Sequence, residues 1–195
     1  KIDVVNPFNG EIFETVPKSN VDDVLAAIAS AERGAKVMAK MSGYERYDRL
    51  MKAVSLMKER EYDLGKTITM EEGKIISEGV GEVQRAIQTM TGAAEEAKRI
   101  SGEVIPLDGA PTWTGQLGFT LRVPCGIVVA ISPFNFPLNL VAHKVGPALA
   151  AGNAIIIKPA SDTPLSALKL TEILIEAGFP PDAVQCITGS GAAIG

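Results

Sequence analysis

One amide stands apart in this chain. Asn135 lies in ISPFNFPL (131–138), between Phe134 and Phe136, with Pro133 and Pro137 just outside them. A side-chain amide donates two hydrogen bonds while staying neutral. Held in a fixed direction, it suits the stabilisation of an oxyanion that develops in an acyl-type reaction. The competing use is local, because asparagine also closes Asx turns on its own backbone. Two further stretches carry chemistry. Lys158 ends the apolar run AIIIK and precedes Pro159, and Ser161 follows shortly after. An ammonium there donates to a ribose hydroxyl or a phosphate, or stands as a solvated strand end. In GSGAAIG (189–195), Gly189 and Gly191 would let backbone approach a phosphate, and the same stretch also reads as a glycine-rich turn.

These residues need a scaffold. GIVVAI (126–131), AIIIK (154–158) and AVQCITG (183–189) read as strands. FPLNLVAHKVGPALAAG and TPLSALKLTEILIEAG (163–178) lie between them with helical character, the second presenting Leu165, Leu168, Ile173 and Ile175 as its apolar positions. Strand–helix–strand–helix–strand with short links predicts a βαβαβ unit, a parallel sheet with right-handed crossovers, half of a doubly wound nucleotide-binding fold. Ligands in such sheets sit beyond the carboxyl ends of the strands. The three chemistry-bearing stretches all fall at that edge and are expected to converge.

Upstream, residues 2–18 read as short strands with turns at N-P and N-G. Ser19 or Asn20 then caps a helix with Asp22 and Asp23 in its first turn and Val21, Val24, Leu25 and Ile28 on one face. Further helices are expected over about 44–61, 61–71 and 75–99, the last with Val83, Ile87, Met90 and Ala94 on its inner face. EVIPL and GQLGFTLRVP, within 103–124, read as a two-stranded ribbon. It is either an arm for subunit assembly or an ordinary edge hairpin. The fold class is α/β: a helical N-terminal part (1–103), a ribbon (104–123) and a Rossmann-like unit (124–195).

Composition removes several function classes. The 195 residues are 46% hydrophobic and 22% charged with net charge −4, a globular balance with no basic stripe for nucleic acid. No apolar run reaches the roughly 18 residues of a membrane span. One histidine, His143, and no C-x-x-C argue against zinc. His143 reads as structural. Cys125 and Cys186 read as packing residues with free thiols, which suits a reducing, cytoplasmic setting. The chain opens at Lys1 and closes inside a glycine-rich stretch, and is read as the N-terminal part of a longer enzyme.

RVPCGIVVAISPFNFPLNLVAHKVGPALAAGNAIIIKPASDTPLSAL closely resembles the NAD(P)-dependent aldehyde dehydrogenase superfamily. The matching positions are Arg122, Pro124, Gly126, Val128, Ile131, Asn135-Phe136-Pro137, Lys144, Pro147, Gly152-Asn153 and Lys158-Pro159, with NPFNGE and EEGK upstream. The resemblance implies oxidation of a small aldehyde to a carboxylic acid. A cysteine thiolate adds to the carbonyl, the Asn135 amide holds the oxyanion, and a glutamate-activated water releases the acid. Ile131, Ser132, Pro133 and Phe134 would line an NAD or NADP cofactor. Lys158 and Ser161 would lie near its adenosine ribose, and Gly189 and Gly191 would give backbone access. Residues 104–123 would serve a homodimer or homotetramer. The family's nucleophilic cysteine and general-base glutamate lie downstream, and neither E-L-G-G nor G-Q-x-C occurs here. Many NAD-preferring members carry glutamate where Ser161 stands, which keeps NADP open. Lactaldehyde- and semialdehyde-oxidising members are the most similar in the 135–144 region. The alternatives are a non-catalytic nucleotide-binding or assembly module, and an acyl-reducing relative that uses NADPH.

Overall fold

The computed structural model describes residues 1–194; Gly195, the last glycine of GSGAAIG, lies outside them. The chain begins with an antiparallel pair, β1 (Ile2–Val5) and β2 (Ile12–Val16). Four helices follow: α1 (Val21–Met38), α2 (Gly43–Glu59), α3 (Glu61–Glu72) and α4 (Ile76–Ala97). Asn20 caps α1 through a reciprocal box with Asp23, and Ser42 caps α2 with Glu45 in the same way. Gly73 ends α3 with φ +91, a left-handed conformation that only glycine adopts without strain.

Helix α1 does not bury the face expected of it. Val21 and Leu25 are exposed at 61% and 58%, and the buried stripe is Ala27, Ala31, Gly34 and Met38. Small residues win because the backbones meet: a Cβ on Gly34 would collide with the carbonyl of Asp182. The contact is fastened by Arg33, whose guanidinium donates to both carboxylate oxygens of Asp182 at 2.9 and 3.1 Å. Helix α4 follows its sequence pattern, with Val83, Ala86, Ile87, Met90 and Ala94 buried.

The ribbon is far shorter than its sequence suggests. β3 (Val104–Ile105) pairs with β4 (Gly118–Phe119), and two 3-10 turns, Leu107–Gly109 and Pro111–Trp113, fill the space between. Prolines without an N–H and glycines without a side chain to pack prevent a longer ladder. Leu117, Phe119, Leu121 and Val123 lie exposed along it.

The second half is the expected parallel sheet, β5 (Ile127–Ile131), β6 (Ala154–Lys158) and β7 (Val184–Cys186), in the order β5-β6-β7. α5 (Asn139–Ala150) and α6 (Leu165–Glu176) are the crossovers. β6 is central and buried at every position. β5 is an edge strand among the described residues, with Val129 and Ile131 open. α6 also differs from its pattern. Ile175 is exposed and Leu165 and Leu168 are half-buried, while Ser166, Ala167, Leu170, Thr171, Ile173 and Leu174 are buried. α6 is covered by β7 on one side and by α2 and α3 on another, so two faces need inward residues. Polar residues qualify where a partner meets them, as Thr171 Oγ1 does by donating to the Ala167 carbonyl. One hydrophobic cluster joins Leu50, Met57 and Met90 of the helices to Ile155, Ile157 and Leu170 of the sheet unit.

Gly34→Ala is expected to destabilise the chain by about 1–3 kcal/mol, because backbone must shift to admit the methyl. Leu25→Ala, on the exposed face, should stay within about 0.5 kcal/mol. Urea unfolding midpoints check both. Equal effects would mean the buried face of α1 is misassigned.

Candidate functional site

The three strand-end loops meet as the topology requires. β5 leads into Ser132–Pro137, β6 into Pro159–Pro164, and β7 into Ile187–Ser190. The Ser132 N–H donates to the Lys158 carbonyl at 3.2 Å, which fixes the first loop on the second. Ser161 Oγ donates to the Gly189 carbonyl at 3.2 Å, which fixes the second on the third. The N-terminal part closes the far side: the Ser19 N–H donates to the Thr188 carbonyl.

Along this edge the polar groups are held but not used up. The Ser132 hydroxyl is buried without a hydrogen-bond partner among the described residues. Lys158 is buried, and among the described residues its ammonium donates only to the Pro159 carbonyl at 3.1 Å and no carboxylate pairs with it. An ammonium has three donors, so two remain. Ser161 is half-buried, Gly189 buried and Gly191 exposed. A Cβ on Gly189 would press on the Ile194 side chain, whereas one on Gly191 would meet open space. Ile131, Pro133 and Phe134 are exposed beside them.

Asn135 is exposed, and its side-chain amide makes no hydrogen bond to any described residue. The Asx turn that competed for it does not form. Such a turn exists at Asn6, where Oδ1 accepts from the Phe8 N–H at 3.0 Å, so the contrast is internal to the chain. Instead the backbone of Asn135 is gripped: Lys74 Nζ donates to its carbonyl at 2.6 Å.

Sequence reasoning missed two buried carboxylates. Glu71 accepts from the N–H groups of Leu165 and Ser166 and from the Ser166 hydroxyl. It thereby caps α6, whose own N-cap, Pro164, offers no side-chain bond. Glu82, wholly buried, accepts from the N–H groups of Leu138 and Asn139 and caps α5 in the same manner. The available signal was placement: Glu82 falls in the same helical stripe as Val83, Ala86 and Ile87.

Neither cysteine is set up as a nucleophile. Burial pushes the Cys186 thiol up to about 12, so no thiolate forms at neutral pH. Cys125, expected to be packed, is exposed instead, with Sγ 3.2 Å from Asn153 Oδ1. It lies before β5, at the end of the sheet away from Asn135. His143 is exposed on α5, with Nε2 3.5 Å from Thr89 Oγ1.

A parallel sheet with α-helical crossovers and a glycine-bearing, partly unsatisfied strand-end edge places the chain among the doubly wound α/β proteins. The chain belongs to the aldehyde dehydrogenase family, which it matches over residues 1–195. It is 47% identical over 195 residues to a protein from Priestia aryabhattai named 3-sulfolactaldehyde dehydrogenase, a match covering 100% of this chain and 40% of the relative. It is 40% identical over 194 residues to the Escherichia coli (strain K12) succinate-semialdehyde dehydrogenase (NADP(+)) GabD, covering 100% of this chain and 39% of that protein. Aldehyde dehydrogenase 21 from Physcomitrella patens, solved in complex with the reaction product succinate, superposes with a TM-score of 0.94 at 44% identity, over 98% of this chain and 40% of that one. The chain therefore spans about 40% of the length of the curated relatives it matches.

Glu71 gives a test of the capping geometry. Burial pushes its carboxyl up to about 7, against the pull of its donors, from an ordinary value of 4.5. The folded state then holds a proton that the unfolded chain releases. The stability this contributes is complete below about pH 4.5 and is lost as pH rises through about 7. Wild type should lose up to about 3 kcal/mol relative to Glu71→Gln across that window. Parallel stability–pH curves for the two proteins would contradict this.

Proposed function

We propose that this chain is the N-terminal, cofactor-side part of an enzyme that oxidises a small anionic aldehyde to its carboxylic acid with NAD or NADP. The observation that carries the reading is the free amide of Asn135, presented at the edge where three strand-end loops converge. As a thiolate adds to the aldehyde carbonyl, the oxygen gains charge. The amide N–H, bonded to no described residue, donates to it without becoming charged itself. The thiolate and the water-activating carboxylate belong to the remainder of the intact protein.

The residues at the edge fit a dinucleotide. Ile131, Ser132, Pro133 and Phe134 would line it, with the orphaned Ser132 hydroxyl as a polar contact. Lys158, buried and without a counter-charge, would donate to the adenosine ribose or its phosphate, beside Ser161. Gly189 and Gly191 would admit it close to backbone. When bound, the nicotinamide supplies the hydride acceptor. Ser161 is neutral where a carboxylate would repel a 2′-phosphate, so NADP is tolerated.

An anionic substrate is supported by the relatives named for sulfolactaldehyde and succinate semialdehyde. It is also supported by Arg85, whose guanidinium lies 5.1 Å from the Phe136 ring centroid and forms no ion pair with a described residue. The division into a helical part (1–103), a ribbon (104–123) and a Rossmann-like unit (124–195) belongs to the same reading. So does a homodimer or homotetramer in the cytoplasm. The exposed Leu117, Phe119, Leu121 and Val123 of the ribbon support the assembly, and two unpaired thiols support the compartment.

The intact protein, given a semialdehyde and NAD(P), should form NAD(P)H, and should prefer the acid-bearing aldehyde over a neutral one of equal length. Ser161→Glu should raise KM for NADP by about tenfold or more while sparing NAD. Absence of aldehyde-dependent reduction with either cofactor would overturn the proposal.

A further inference from the structure

The Asn135 amide is exposed and bonded to no described residue, so what the described residues hold in place is its backbone, the base from which the amide projects. What sets that backbone is a single buried ion pair. Lys74 Nζ donates to the Asn135 carbonyl at 2.6 Å and to Glu82 Oε2 at 2.8 Å. Glu82 Oε1 accepts from the N–H groups of Leu138 at 2.9 Å and Asn139 at 3.0 Å. One Lys–Glu pair therefore holds the loop on both sides of its Pro137. It grips an acceptor at residue 135 and two donors at 138 and 139. Phe136, between them, lies under the ammonium, with Nζ 3.9 Å from its ring centroid.

The arrangement is costly for stability alone. The Glu82 side chain is wholly buried and that of Lys74 is 14% exposed. Buried pairs of this kind are often matched or bettered in stability by apolar residues of the same volume. Charge-assisted bonds do, however, fix geometry tightly. Glu72 lies 3.7 Å from the same ammonium and sets a second carboxylate beside it.

We propose that Lys74 and Glu82 are positioning residues that aim the Asn135 amide, a reading that rests on the oxyanion role proposed above. Lys74 ends the EEGK stretch and Glu82 lies nearly two helix turns into α4, so the helical layer holds the backbone from which a side chain of the sheet layer projects. Neither side chain touches the reacting atoms. Their effect passes through the Asn135 peptide, and a displacement of about 1 Å there is enough to cost on the order of 10²-fold in rate.

The test uses the intact protein with Lys74→Met, Lys74→Arg and the paired variant Lys74→Met/Glu82→Gln. The paired variant removes both charges of the Lys74–Glu82 pair, so it carries the test if Lys74→Met does not fold. Hydrogen–deuterium exchange, which needs no activity, should rise over residues 133–140 and stay unchanged in α2 and β6. In steady state, kcat for aldehyde oxidation should fall about 10–100-fold with KM for NAD(P) unchanged. Lys74→Arg, which keeps the cation, should recover part of it. In an Asn135→Ala background the Lys74 substitutions should cost little more, because the group they aim is gone. Full additivity with Asn135→Ala, or unchanged exchange over 133–140, would overturn the proposal. If wild type oxidises no aldehyde, the functional reading fails, and exchange alone then decides whether the pair fixes the loop.

Discussion

The fold depends on a carboxylate buried where a helix begins. Glu82 reaches from α4 across the layer boundary and takes the first two free N–H groups of α5. Glu71, at the end of α3, does the same for α6. Both crossover helices of the parallel sheet thus start on carboxylates supplied by the helical half. A helix N-terminus buried without partners would forfeit its orphan donors and their favourable dipole. The two halves therefore share more than a hydrophobic cluster, because each completes polar groups that the other leaves open.

This arrangement explains why the loop-bearing edge of the sheet stands where it does. The capped ends of α5 and α6 are also the ends facing the strand termini of β5 and β6, so fixing the caps fixes the loops before them. Ser132 is tied to Lys158, and Ser161 to Gly189. The remaining polar capacity, on Ser132, Lys158 and Asn135, is left without partners among the described residues.

Much of this was legible in the residues, unevenly. β6 declared itself by the apolar run AIIIK, and the start of α1 by Ser19 or Asn20 ahead of Asp22 and Asp23, of which the structure selects Asn20 as the cap. The stripe of α4 was plain because large apolar residues carry it. α1 was misjudged for the opposite reason. Its true contact is made of Ala and Gly, which period analysis scores weakly, while its larger residues sit outside. α6 was misjudged because a helix packed on two sides buries Ser166 and Thr171 along with its aliphatics. Glu71 and Glu82 were invisible because a charge within a helix normally signals water. Their partners are backbone groups some sixty to ninety residues away, which no local pattern reveals. Asn135 was ambiguous as a residue type. Its role sharpened only once its neighbouring loops, its family and its unbonded amide were considered together.

The central claim is that this amide is aimed at an oxygen that gains charge. The most direct measurement is a structure of the intact protein with NAD(P) and an aldehyde adduct trapped on the nucleophile. The account predicts Asn135 Nδ2 about 2.7–3.1 Å from the adduct oxygen, with Lys74 still on the Asn135 carbonyl. An amide turned away from that oxygen, or an oxygen held entirely by other donors, would contradict it.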